Sequence, residues 1–198
     1  YNMIQVTDDW GCESIINATA PVIITVNPTP VLDITVSGTN PICVGDTSAL
    51  FFPVTTLSGP APSDPYTLNY LAGTTLSTVI VDAVGNILST GTTHPIFPII
   101  TTDYTLVSVT DAKGCVNTLS NSAQLVVNEL PLVDISGTTE ICDQDVTQLY
   151  FNFTAGNSPW VVDYDEDGTP MSNTFYNSID SITVSPTTTT VYTVTSVS

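Results

Sequence analysis

Residues 1–12 read YNMIQVTDDWGC, and residues 104–115 read YTLVSVTDAKGC. Tyr1 aligns with Tyr104 and Val6 with Val109, while Thr7-Asp8 and Gly11-Cys12 return as Thr110-Asp111 and Gly114-Cys115. A third copy, VYTVTSVS at 191–198, carries the same phrase up to the position before its Asp. Outward from this phrase the match continues. VIITVN closing at Asn27 is repeated by QLVVN closing at Asn128, and NPTPVLDITVSGTNPICVGD (27–46) by NELPLVDISGTTEICDQD (128–145), with a small gap. Cys43 thus aligns with Cys142 and Asp46 with Asp145. DPYTLNY (64–70) returns as SPWVVDY (158–164), and Pro98 and Pro186 each stand six residues before the repeated Tyr. A period of about a hundred residues marks an array of domains.

The repeat sets the expected boundaries. Residues 1–27 are the C-terminal strands of a preceding module, 28–128 a complete module, and 129–198 a module lacking its last strands. The sequence reads as two periods of a continuous array. VLDITVSG, TSALFFPV, YTLNYL, STVIVDAV, YTLVSVTD and AQLVVN are short, β-branched stretches bounded by Gly, Pro, Asn and Asp, the pattern of strands. No 3.6-residue pattern is sustained, so helix is not expected. About seven short strands per hundred residues predict an all-β chain of tandem immunoglobulin-like (PKD-like) β-sandwich modules in an extended array. Tyr104 and Tyr192 stand where a tyrosine corner belongs, and Tyr66 and Trp160 where a core aromatic opens the third strand. VTDDWGC and VTDAKGC read as hairpins with Gly11 and Gly114 at positive φ. The Pro-containing linkers VNPTPV and VNELPL restrict bending between modules.

Composition narrows the function classes. One Lys stands against 19 acidic residues, for a net charge of −18. Nucleic acid is excluded as a partner, because nothing replaces the counterions on phosphates. Anionic membrane surfaces are disfavoured for the same reason, and no apolar run reaches spanning length. With 42% hydrophobic and only 10% charged residues, the chain is equipped for packed cores rather than disorder. The four cysteines lack CxxC spacing and a single His accompanies them, so disulfides in an oxidising, extracellular setting are expected rather than zinc.

The order Gly-Thr-x-x-Ile-Cys, Pro-aromatic-x-x-x-Tyr, Tyr-Thr-x-x-Ser-Val and Gly-Cys before a Val-Asn exit resembles the tandem Ig-like or PKD-like repeats of giant Bacteroidetes surface adhesins. Gliding-motility adhesins of the SprB kind are of this type. The likeness covers essentially the whole chain. It implies type IX export, anchorage at the cell surface and a non-enzymatic stalk role in adhesion or gliding, with neighbouring modules of the same chain as partners. Polysaccharide or another surface ligand would be met through other regions. Carbohydrate-binding or spacer modules of secreted enzymes, and a pilus-like subunit assembled by strand addition, are the alternatives. The resemblance also implies O-glycosylation at Ser181 within Asp180-Ser181-Ile182.

Several residues are candidate sites. DYDEDG places Asp163, Asp165 and Asp167 at alternating positions before Gly168, the front half of an EF-hand-type calcium loop. Thr174 stands at the twelfth position in place of the bidentate Glu, and an acidic hairpin end is the plainer reading. Asp8, Asp9, Asp33, Asp46, Asp111, Asp134 and Asp145 gather near module ends, as turn acids or as shared cation ligands. In-register pairing joins Cys43 to Cys115, with Cys12 and Cys142 bonded outside the segment; Cys43 to the late hairpin of the next module, and Cys12 to Cys43, are the competing pairings. His94 has neither a GxSxG nucleophile beside it nor a counterpart in the repeat, so no catalytic role is assigned. Asn17-Ala-Thr19 and Asn152-Phe-Thr154 fit the N-glycosylation pattern.

Overall fold

In the computed structural model, residues 5–15, 22–54, 64–89, 91 and 93–198 are described. Tyr1 and Asn17 lie outside them. The chain is all-β, with short antiparallel strands punctuated by turns and no helix among the described residues. The first pair is β1 (Gln5–Thr7) and β2 (Glu13–Ile15).

Residues 28–128 form the larger unit. Its strands are β3 (Thr35–Val36), β4 (Ile42–Cys43), β5 (Ser48–Phe51), β6 (Tyr66–Ala72), β7 (Thr75–Val81), β8 (His94–Ile96), β9 (Thr102–Thr110), β10 (Val116–Thr118), β11 (Ser122–Leu125) and β12 (Val127–Asn128). One sheet has the order β10-β9-β6-β7, with β11 also on β9, and the other β3-β5-β8. A short parallel pair, β12 with β4, joins the end of the unit to its beginning. Both sheets feed one apolar cluster. Alternation turns Tyr66, Leu68 and Tyr70 of β6 inward, and in β9 Tyr104 and Leu106 alternate while a register shift opposite Asn69 and Tyr70 brings Val109 to the same face. Leu50, Phe52 and Ile96 face them from the second sheet, and Phe52 meets Tyr70 at a centroid distance of 5.7 Å.

Residues 129–198 repeat the plan. The strands are β13 (Leu132–Gly137), β14 (Thr147–Ala155), β15 (Trp160–Glu166), β16 (Thr169–Phe175), β17 (Ile179–Val184) and β18 (Tyr192–Val197). Their orders, β13-β14-β17 and β16-β15-β18, match β3-β5-β8 and β7-β6-β9. In β14, Leu149, Phe151 and Phe153 are buried while Tyr150, Asn152 and Thr154 face solvent. Phe153 stacks on Trp160 at 4.4 Å and Phe151 on Phe175 at 4.5 Å. The repeated Pro before each core aromatic follows a cis bond in both units, Asp64-Pro65 and Ser158-Pro159.

The repeated phrase folds the same way twice. In the β9–β10 hairpin Gly114 N donates to Asp111 O at 3.0 Å and Asp111 N to Cys115 O at 3.1 Å; between β1 and β2 the corresponding bonds are 3.0 Å each. Gly11 and Gly114 sit at φ 79° and 82°, the left-handed position that a five-residue hairpin of this type reserves for glycine.

Candidate functional site

The 28–128 unit has two poles, and its linker contacts and its β12–β4 pair lie at opposite ones. At the incoming pole the linker is tied to the β9–β10 hairpin: Lys113 Nζ donates to Asn27 Oδ1 at 3.0 Å and Asn117 Nδ2 to Pro30 O at 2.9 Å. The outgoing pole is closed by β12, where Ile42 N donates to Val126 O and Val44 N to Asn128 O, both at 3.0 Å.

The acids at these poles shape turns. Asp111 Oδ1 accepts from Lys113 N and Cys115 N at 3.0 and 2.8 Å, and Asp8 Oδ1 from Trp10 N and Cys12 N at 3.0 and 2.9 Å. Asp46 and Asp145 accept from the N–H of Cys43 and Cys142. Asp33 accepts from Ile34 N and Asn121 Nδ2. Asp111 differs from its repeat partner Asp8 in being only 4% exposed, with Oδ2 buried and without a partner. A buried carboxylate oxygen left in that state is costly.

All four cysteines are unbonded, and Cys12, Cys43 and Cys142 are exposed. The expected Cys43–Cys115 bond is not formed, for a topological reason. Cys43 is in register with Asn128 beside the start of β9, whereas Cys115 follows the hairpin at its far end. The length of β9, about 27 Å at strand rise, separates them, against the 4–7 Å that a disulfide tolerates.

Asp163, Asp165 and Asp167 sit on a β-hairpin rather than a twelve-residue loop. Asp163 and Asp165 belong to β15, and Asp167-Gly168 forms the turn between Glu166 and Thr169, with φ 49° and 88°. Positive φ at both central residues is the Asp-Gly hairpin turn. Local donors already engage these groups. Ser172 and Ser196 hydroxyls hold the Asp163 carboxyl below its ordinary range, Ser196 at 2.8 Å, and Asp165 Oδ1 accepts from Gly168 N. Among the described residues no group of three or more His, Cys, Asp or Glu side chains is placed to hold a metal ion.

The remaining candidates are dispersed. His94 lies edge-on to Tyr70 at 6.1 Å, its pKa lowered by burial. Ser181 faces solvent on the edge strand β17, and Asn152 faces solvent on β14. The two corner tyrosines differ in their surroundings. Tyr104 is buried against Tyr70, but Tyr192 donates its hydroxyl to Glu166 Oε1 at 2.8 Å rather than to backbone. Burial first, then that bond, push its pKa up to about 12.

Two apolar features complete the surface. Phe97, Ile99 and Ile100, between β8 and β9, are 67–71% exposed beside the outgoing pole. The second is an open groove of about 820 Å³ in the 129–198 unit, floored by Ile135, Leu149 and Val184 and rimmed by Ile141, Cys142 and Tyr192. No family model matches the chain, and no curated protein matches it.

Proposed function

We propose that the chain is a length of structural stalk, built of tandem immunoglobulin-like sandwiches, in a non-enzymatic extracellular fibre that serves adhesion or gliding at a cell surface. One observation carries the reading: two successive units share strand order, turn chemistry and core aromatics, and the complete unit takes the chain in at one pole and releases it at the other. Units so arranged pass tension along a line and add stability piecewise. The acidic, Lys-poor surface keeps such a fibre soluble. Ser181 on an exposed edge strand suits the glycan that the family likeness implies. For the calcium reading of Asp163, Asp165 and Asp167, a melting midpoint raised by calcium beyond matched ionic strength, and lost in D165N, is the supporting result; equal midpoints remove it.

Pulling on the native protein in a force spectrometer tests the stalk. The expected trace is a sawtooth, each event releasing about 30 nm, since roughly a hundred residues extend at ~3.4 Å each. A single event spanning the whole contour, or a featureless trace, would sink the proposal.

A further inference from the structure

The joint between the two units carries exposed apolar side chains on both of its faces. On the outgoing pole of 28–128, Phe97, Ile99 and Ile100 are mostly in solvent. They lie in the crossing from β8 to β9, next to the point where the chain leaves the unit, since Val127 N donates to Thr101 Oγ1 at 3.0 Å. On the incoming pole of 129–198, Tyr176 and Ile179 are 69% and 66% exposed, in the turn from β16 to β17. Ile179 pairs with Asn152 and Asn152 with Asp134, so this turn stands two strand spacings, about 10 Å, from the strand by which the chain enters. It also lies away from the outer edge of β18, because β16 flanks β15 on the opposite side and β17 flanks β14 opposite β13.

The chain itself names what covers these side chains. Glu129, Leu130 and Pro131 alone stand between β12 and β13, so the two poles are tethered within about 14 Å of each other at the joint. The apolar character is also particular to the two poles that face across it. At the other end of 129–198, Thr187 and Thr188 stand in the places of Ile99 and Ile100. At the other end of 28–128, Asp82 takes the place of Tyr176, following Val81 as Tyr176 follows Phe175. Apolar groups kept on two surfaces that a short linker holds face to face are suited to meet each other.

We propose that the outgoing pole of 28–128 and the incoming pole of 129–198 close on each other about this linker. Phe97, Ile99 and Ile100 then pack against Tyr176 and Ile179, and the joint becomes rigid. The inference rests on the two-unit plan of the stalk reading and adds a stiff joint to it. A joint that stays open leaves separate units on one line, which the force trace would report unchanged.

Nitrogen-15 relaxation of the 198-residue chain tests it, at a salt level that screens the charge of −18. The expected result is one rotational correlation time shared by both units, that of a single body of 21.0 kDa. Phe97→Ser with Ile99→Thr and Ile100→Thr strips one pole, and Tyr176→Ser with Ile179→Thr strips the other. All five side chains are already reached by solvent, so each unit keeps its fold and its dispersed amide spectrum. Either set should abolish the shared time, leaving a shorter and different one for each unit. The first set should also shift the amide resonances of residues 176–179, in the unit it does not touch. Separate times in the parent chain, or a shared time that either set leaves unchanged, overturn the proposal. So does a correlation time that grows with concentration, which would show the patches meeting between copies instead.

Discussion

Tyr192 shows how a single residue departs from its repeat. Tyr104 closes against Tyr70 in a finished core, whereas Tyr192 meets the carboxylate of Glu166. Its pKa, about 12 against the ordinary 10.0, lies above that of an unfolded tyrosine. The stability it contributes is therefore complete below about pH 10 and is lost as pH rises through about 12. Ultraviolet difference titration of E166Q against the parent protein should show one tyrosine ionising closer to pH 10; superimposable curves would contradict the Glu166 cause. Position and spacing marked this residue as a corner tyrosine. They did not reveal Glu166 as its partner, because the pairing of Glu166 with Tyr192 depends on which strand lies beside β15.

At the scale of elements, the β9–β10 hairpin combines a legible part with a hidden one. VTDxxGC encodes the turn directly, since Asp caps two N–H groups and Gly takes the left-handed position, and the sequence reading placed it correctly. Burial of Asp111 depends on what packs over the hairpin, which one segment cannot disclose. Asp111→Ala deletes the acceptor of two bonds and should destabilise by about 1–3 kcal/mol. Asp111→Asn keeps the Oδ1 acceptor, gives the buried partnerless oxygen up for a neutral amide, and should stay within about 1 kcal/mol of the parent. Asp8→Ala, at an exposed copy of the turn, should cost less than Asp111→Ala. Urea unfolding of the three variants checks the ranking. The two-residue pair β12–β4 was invisible for a related reason: so short a parallel contact has no periodicity, and its partners lie more than eighty residues apart. The intramodule pairing of Cys43 with Cys115 fails for a topological reason, since β9 carries the two to opposite poles.

Across the whole molecule, two units of one plan differ in how far they close. Leu32, Ile34, Tyr104, Leu106 and Val109 are at most 3% exposed in 28–128, while Val133, Ile135, Tyr192, Val194 and Val197 at the aligned places are only partly buried. Each half-covered side chain forfeits part of the transfer free energy of burial, about 25 cal/mol per Å² of apolar surface. The 129–198 unit should open first. Hydrogen exchange should find β18 and β13 amides about 100-fold less protected than those of β9 and β3; equal protection would show that the groove does not weaken the unit. All-β character and the core aromatics were readable from alternation and repetition. The pairing of β12 with β4 was not, because so short a contact is defined by folding alone.

The parallel course of β4 and β12 has a mechanical consequence. One lies near the beginning of the unit and the other at its end, so traction on the two termini slides them past each other along their length. The bonds from Ile42 and Val44 to Val126 and Asn128 are then loaded together, in shear, rather than peeled apart in succession as an antiparallel end pair would be. A contact two residues long thereby becomes the latch of the whole unit.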